Sequence, residues 1–105
     1  MRRALLAAAL GGVVATAHAD GSAELRLRSL AATCAGCHGT DGRAAADATL
    51  PALAGMDAAV LAERMRAFKA GTRPGTVMPQ IAKGYSDAQI AALAGYFAAR
   101  PAARP

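Results

Sequence analysis

The sequence is poor in bulky aromatic and in thiol-bearing side chains. It contains no tryptophan, two tyrosines, two phenylalanines and two cysteines among 105 residues. A chain this short buries only a small core, and a domain of that size usually needs a disulfide, a metal or a bulky cofactor to stay folded. Because the chain has two cysteines, few disulfide, metal or cofactor arrangements are possible for it.

Blocks of one charge are also missing. Lys and Arg number 12 against 7 Asp and Glu, a net charge of +5, but the basic residues are dispersed along the chain. A nucleic-acid surface is typically a basic cluster, often with aromatic side chains on which bases stack. The sequence offers neither feature, so we expect no nucleic-acid partner.

Residues 1–19 have the pattern of an export signal cleaved after Ala19. Arg2 and Arg3 give a positive start, an apolar run follows, and small residues flank the cleavage position. The apolar run is shorter than the roughly 20 residues that span a membrane. We therefore predict a periplasmic protein with no permanent membrane span, whose working domain is residues 20–105.

Helical spacing of apolar residues predominates in that domain, and no alternating or β-branched run predicts a strand. We predict an all-α fold with three main helices. The first runs from about Ser22 into the cysteine motif, and the second follows the N-cap Asp57 and ends at Gly71. The third begins at Ser86, which forms a capping box with Gln89. The predicted buried stripes are Leu27, Leu30, Ala31 and Cys34; Leu61, Met65 and Phe68; and Ile90, Leu93, Ala94 and Phe97.

Two stretches between these helices, residues 39–56 and 71–84, are rich in Gly, Pro, Thr and Ala. Both are long for structureless loops in so small a domain. Loops of this length usually have a function, and these two are suited to wrapping a flat cofactor.

The segment Cys34-Ala35-Gly36-Cys37-His38 is the attachment sequence of a c-type haem. Its spacing lets two thiols reach the two vinyl groups on one porphyrin edge and brings the imidazole under the iron. A structural zinc site needs four ligands, and a thioredoxin-like pair needs a βαβ context. A disulfide closing so short a loop adds little stability. We predict one covalent haem c, held by Cys34 and Cys37 and ligated by His38.

A haem that carries electrons without binding small molecules needs a sixth ligand, commonly methionine. Met65 lies on a predicted helix stripe, and Met56 is close in sequence to His38. Met78 lies in the second loop, where Pro79 favours an extended backbone at Met78. By elimination, we predict Met78 as the second axial ligand.

The haem motif, the Leu50–Gly55 segment, the Met78 loop and the closing helix, in that order, resemble the class I cytochrome c family over nearly all of the domain. This resemblance implies a small helical fold whose helices and loops wrap one haem. It also implies that the Pro51 carbonyl accepts a hydrogen bond from the proximal histidine, which would fix the imidazole.

Residues 68–73, 76–78 and 81–86 are further similar to the cytochrome subunit of flavocytochrome c sulfide dehydrogenase. That resemblance implies an FAD-containing flavoprotein partner that oxidises sulfide and passes electrons to the haem. Two departures stand out. Some members carry two haems, whereas this chain has one motif, and Arg26 and Leu30 replace a glycine and an aromatic where the terminal helices usually cross.

The expected function is single-electron transfer in the periplasm rather than enzymatic catalysis. The alternatives are a free soluble shuttle to a terminal oxidase or another acceptor, and a haem enzyme or sensor with an open iron site. Basic side chains around the exposed haem edge would steer an acidic partner. The candidates are Arg43, Lys69, Arg73 and Lys83.

Overall fold

Helices make up all the regular secondary structure in the described part of the chain. The computed structural model describes residues 13–104, with side chains from residue 20. The elements are α1 (Val13–Ala32), α2 (Ala35–His38), a 3-10 turn (Thr40–Gly42), α3 (Ala58–Ala70), α4 (Met78–Ala82) and α5 (Asp87–Ala98). The all-α prediction is confirmed, and α1, α3 and α5 correspond to its three main helices.

Helix α1 begins at Val13 rather than near Ser22. The residues before Gly21 include several alanines, the best helix former, and Gly21 and Ser22 do not interrupt the helix. Residues 1–12 of the predicted signal lie outside the described residues, so its cleavage stays a prediction. Among the described residues, no helix is both long and apolar enough to cross a membrane.

The core is built around α5. Ile90, Leu93, Ala94 and Phe97 are all at most 2% exposed, which confirms the predicted stripe. The capping box that starts this helix is also present, because Ser86 Oγ accepts from the Gln89 amide (3.1 Å) and Gln89 Oε1 accepts from the Ser86 amide (2.8 Å). These reciprocal bonds satisfy two of the backbone donors that a helix start leaves unpaired.

Helix α3 packs against α5 and α4. Asp57 Oδ1 accepts from the Val60 amide at 3.0 Å, and Gly71 ends the helix at φ +77°, so both predicted boundaries are confirmed. Leu61 is buried, whereas Met65 and Phe68 are half-buried. The apolar stripe of α3 therefore contributes Leu61 to the core and leaves Met65 and Phe68 partly exposed beside it.

Helix α1 also packs against α5. Its contribution to the core is the buried Ala31, with Leu27, Leu30 and Cys34 partly buried against the same cluster. Arg26 is exposed and Leu30 is half-buried, so neither departure from the family pattern keeps the two helices apart.

The second loop contains a helix that the sequence analysis did not predict. Met78 is the first residue of α4 and Pro79 the second, so the expectation of an extended backbone at Met78 is wrong. Proline fits the first turn of a helix because its missing N–H has no intrahelical partner there. At this position the helix-start preference of proline outweighs its steric effect on the preceding residue.

Candidate haem site

The two thiols and the imidazole come together where α1 gives way to α2. Cys34 caps α2, and the amide of His38 donates to the Cys34 carbonyl at 3.0 Å, so the motif forms a single tight turn. Cys34 is half-buried and Cys37 is exposed. His38 is 9% exposed, the one buried polar or charged residue among the described side chains. The motif thus presents one accessible and one sheltered thiol beside a buried ring.

The His38 ring is held by the Pro51 carbonyl, whose oxygen lies 2.7 Å from Nδ1. A carbonyl only accepts, so Nδ1 carries the proton and donates. In the neutral imidazole Nε2 then keeps its lone pair. The resemblance implied this contact, and the structure brings the two groups together in that geometry.

Gly42 holds the proline segment in place, a role that the sequence analysis missed. Its carbonyl accepts from the amides of Leu53 (2.8 Å) and Ala54 (3.1 Å). Its φ is +74°, and a Cβ there would lie 2.8 Å from Leu53 Cβ and 2.9 Å from Phe97 Cδ1. Only glycine fits such a left-handed and crowded position without strain. The Gly in Asp41-Gly42 was a visible turn signal, but its tertiary neighbours were not.

Beside the motif lies an open cavity of about 410 Å³. Its wall combines the haem motif, the Pro51 segment, α3, the second loop and α5. The lining residues are Thr33, Cys34, Cys37, His38, Leu50, Pro51, Leu53, Met56, Leu61, Arg64, Met65, Phe68, Arg73, Gly75, Thr76, Val77, Met78, Ile81, Tyr85 and Leu93. All five predicted site residues, Cys34, Cys37, His38, Pro51 and Met78, therefore line one cavity.

Three methionines reach this wall, so position alone does not single out one of them. Met56 and Met65 also pack against the hydrophobic core, and Met56 Sδ lies 3.9 Å from Arg64 Nη1. Met78 is half-buried and does not belong to the core cluster. Of the three methionines on the wall, Met78 is the one that does not pack against the hydrophobic core cluster.

Polar contacts at the motif are local. Burial raises the pKa of the Cys34 thiol, and a hydrogen bond with Thr33 opposes that effect. Thr33 Oγ1 also lies 2.9 Å from the hydroxyl of Tyr85, so the segment between α4 and α5 is tied to the end of α1. Within the described residues, no group of three or more His, Cys, Asp or Glu side chains is arranged to hold a metal ion.

The four basic residues named as candidates for steering a partner lie in different surroundings. Of these four, Arg73 lies on the cavity wall. Lys69 pairs with Asp87 at 3.0 Å, and Arg43 lies 3.9 Å from Asp41 and donates to the Pro101 carbonyl. Lys83 is exposed away from the cavity lining. The structure also places Arg64 on the wall, a residue that the sequence analysis did not select.

Asp41 ties the first loop to α5. Tyr96 donates from its hydroxyl to Asp41 Oδ1 at 2.7 Å, and Asp41 adopts a left-handed φ of +53°. This bond lowers the pKa of Asp41, with help from Arg43, Arg100 and Arg28, and it raises the pKa of Tyr96. The guanidinium of Arg100 stacks on the Tyr96 ring at 4.2 Å.

The cavity suits a haem by three features of its own residues. Its wall is mostly apolar and its volume falls within the range of cofactor sites. Two thiols lie at one side of it, and the neighbouring imidazole is held in the tautomer whose Nε2 can bind iron.

Residues 27–97 match the family model described as "Cytochrome C oxidase, cbb3-type, subunit III". The matched range contains every predicted site residue. Among curated proteins, the chain is 39% identical over 106 residues to the "Thiosulfate dehydrogenase electron acceptor" of Thiomonas intermedia, covering 100% of this chain and 48% of that protein.

Two shorter relatives match as well. The chain is 39% identical over 74 residues to the "Cytochrome subunit of sulfide dehydrogenase" of Chlorobaculum tepidum, covering 70% of this chain and 66% of that protein. It is 38% identical over 71 residues to "Cytochrome c-554(548)" of Halomonas halodenitrificans, covering 65% and 84%. The chain thus spans about half of the Thiomonas protein and most of the Halomonas one.

Proposed function

Because this chain belongs to the class I c-type cytochromes, we propose that it is a periplasmic carrier of single electrons with one covalent haem. The observation that supports this most directly is the cavity. Its wall includes both thiols of the attachment motif, an imidazole whose Nδ1 is already bonded to Pro51, and the thioether of Met78.

In this proposal Cys34 and Cys37 form the two thioether links. His38 would ligate the iron through Nε2, and Met78 would supply the other protein ligand. The haem, when bound, supplies an iron that alternates between ferric and ferrous states. Because this chain would supply both protein ligands, little would rearrange when an electron arrives or leaves. The apolar wall and the methionine sulfur favour the less charged ferrous state.

Cavity residues also support single-electron transfer over catalysis at an open iron. Met78 lies on the wall without a place in the core, as expected of a side chain whose role is ligation. If Met78 ligates, no position is left for a substrate or a gas.

The test is to express the chain together with cytochrome maturation machinery. We expect a coloured protein whose mass includes one haem, and a sulfur-to-iron charge-transfer band in the ferric spectrum. Met78→Leu should abolish that band and lower the reduction potential. Met65→Leu on the same wall is the matched control and should keep the band. A band that survives Met78→Leu would assign the ligand elsewhere.

For the electron donor we propose an FAD-containing sulfide dehydrogenase subunit. Similarity to the Chlorobaculum cytochrome subunit supports it. A thiosulfate dehydrogenase is the second candidate, because the same level of identity extends over the whole chain to the Thiomonas electron acceptor. Stopped-flow reduction by each purified enzyme with its substrate distinguishes them, since the physiological donor should reduce the haem faster and with stronger salt dependence.

A further inference from the structure

One hydrogen bond connects two sides of the cavity wall that are distant in sequence. The hydroxyl of Tyr85, directly before the N-cap of α5, lies 2.9 Å from Thr33 Oγ1, directly before Cys34. Both residues line the cavity, and 52 positions of sequence separate them. The bond therefore connects the end of the second loop to the turn that carries the haem motif.

The direction of this bond follows from the other partner of Thr33. Thr33 Oγ1 donates to the Leu30 carbonyl at 2.7 Å, in the last turn of α1, where backbone carbonyls lack their usual intrahelical partner. A threonine hydroxyl has one proton and two acceptor lone pairs. Because that proton is used on Leu30, the Tyr85 hydroxyl donates to Thr33 Oγ1. Two hydrogen bonds thus run in one direction, from Tyr85 through Thr33 to Leu30.

Tyr85 is closely coupled to the helix that begins with Met78. Its amide donates to the Ala82 carbonyl at 3.2 Å, and the Gly84 amide donates to the Ile81 carbonyl at 3.0 Å. These backbone bonds continue the turn of α4 as far as Tyr85, whose side chain also packs against the core cluster. A contact that holds Tyr85 therefore restrains α4 as well.

The stretch before α4 is held differently at its two ends. The Thr72 and Arg73 amides donate to the Ala67 carbonyl at 3.0 and 3.2 Å, which fixes its beginning to the end of α3. Residues 71–77 are nevertheless all exposed, so burial gives little support next to Met78. Packing against α3 holds one flank of α4. The hydrogen bond of Tyr85 acts at the opposite end of α4, towards the haem motif.

We propose that the link between Thr33 and Tyr85 keeps Met78 in place as an iron ligand, and this inference rests on the proposed function. Thr33 and Tyr85 are positioning residues: they act through α4 on one side and through the attachment turn on the other. When the link is broken, α4 is free to move away from the motif while the core stays packed. The link therefore controls how often Met78 leaves the iron.

Tyr96 provides a matched control for Tyr85. Its hydroxyl donates to Asp41 Oδ1 at 2.7 Å, but Tyr96 is not part of the cavity lining. Tyr85→Phe and Tyr96→Phe each remove one hydroxyl group that joins distant parts of the chain. A general loss of stability would affect both variants in the same way, whereas a specific release of Met78 is expected for Tyr85→Phe alone.

The experiment is stopped-flow binding of imidazole to the ferric holoprotein, followed by the loss of the sulfur-to-iron charge-transfer band. At saturating imidazole, the rate is limited by the departure of Met78. We expect Tyr85→Phe and Thr33→Val to raise this limiting rate about 3- to 10-fold, as the loss of one hydrogen bond predicts. Thr33→Ser keeps the hydroxyl and should keep the wild-type rate, as should Tyr96→Phe. The double variant of Tyr85→Phe with Thr33→Val should match either single variant, because both remove the same interaction.

Amide hydrogen exchange of residues 78–85, measured by mass spectrometry, is a second readout that does not depend on the spectrum. It should become faster in Tyr85→Phe and Thr33→Val and stay unchanged in Thr33→Ser and Tyr96→Phe. If Thr33→Val prevents maturation, Tyr85→Phe carries the test, since it removes a single oxygen atom.

Unchanged limiting rates in Tyr85→Phe overturn the proposal. An equal increase in Tyr96→Phe also overturns it, because the bond would then contribute to stability in general rather than to the position of Met78. Failure of the proposed function looks different: the wild type would carry no covalent haem, or its ferric spectrum would lack the sulfur-to-iron band before any residue is changed.

Discussion

The molecule has a helical frame, formed by α1, α3 and α5, and a loop side, formed by residues 39–56 and 71–84. These two regions differ in how much of their apolar surface is buried. In the frame, the apolar side chains pack against one another, and Ile90, Leu93 and Phe97 are almost completely buried. On the loop side, Leu50, Val77 and Ile81 line the cavity and remain 45%, 59% and 39% exposed. The frame thus contains the buried core, whereas the loops leave apolar side chains exposed on the wall of the cavity.

The largest effect should come from removing the haem attachment. We expect Cys34→Ser combined with Cys37→Ser to give colourless protein that loses most of its helical signal. Without haem the frame alone is too small a core, so the loss amounts to the whole free energy of unfolding, about 5 kcal/mol or more. Visible absorbance and far-ultraviolet circular dichroism measure it.

The single variant Cys37→Ser is the control for this comparison. It keeps the thioether at Cys34, so it should retain colour and most of the helical signal. Colourless double-variant protein with native helicity would show that the frame folds without the loops' ligand.

The second prediction concerns the frame alone. Ile90 is 0% exposed, and Ile90→Ala should lower the free energy of unfolding of the holoprotein by about 2–5 kcal/mol, because it leaves a cavity in the core. Leu25→Ala is the control, since Leu25 is 63% exposed on α1 and such a change usually stays within about 0.5 kcal/mol. Denaturant unfolding followed at the haem and by circular dichroism gives both values. Equal costs at the two positions would contradict the burial pattern.

The third prediction tests the junction between frame and loops at Gly42. Gly42→Ala forces a side chain into a left-handed position against Leu53 and Phe97, which should cost about 1–3 kcal/mol. It should also alter the reduction potential. The Gly42 carbonyl accepts hydrogen bonds from the segment that follows Pro51, and the Pro51 carbonyl holds His38. Gly95→Ala is the matched control: nothing lies within 4 Å of its added Cβ, so it should stabilise α5 by up to about 1 kcal/mol. If Gly42→Ala and Gly95→Ala both lowered the free energy of unfolding, the contrast between a crowded and an open glycine position would be wrong.

The frame is predictable from the sequence because its signals are local. Ser86 with Gln89 and Asp57 mark helix starts through their own side chains, and the Ile90 stripe follows from spacing. Proximity of the thiols and the imidazole is equally local, since five consecutive residues fix it.

The loop side is less predictable because its geometry depends on distant partners. Helix α4 forms despite the bias that Pro79 places on Met78. Gly42 takes its role from neighbours that are remote in sequence, Leu53 and Phe97. The family resemblance, rather than any local pattern, indicated Pro51. Elimination among three methionines favoured Met78, yet the fold brings all three to the cavity wall.

The smallest expected effect lies in the bond between Asp41 and Tyr96, which joins the first loop to the frame. The Tyr96 hydroxyl, together with Arg43, Arg100 and Arg28, lowers the pKa of Asp41 in the folded protein. A depressed carboxyl pKa contributes stability that is fully present above the unfolded value of about 3.9, and this stability is lost as pH falls through the lower folded value.

Asp41→Asn should therefore flatten the acid side of the stability curve below about pH 4 while asparagine still tolerates the left-handed backbone. Tyr96→Phe should flatten it in the same way, and the double variant should add little to either single one, because both remove one interaction. Thermal unfolding between pH 3 and 6 measures the effect, and fully additive losses in the double variant would show that Asp41 and Tyr96 stabilise the junction independently.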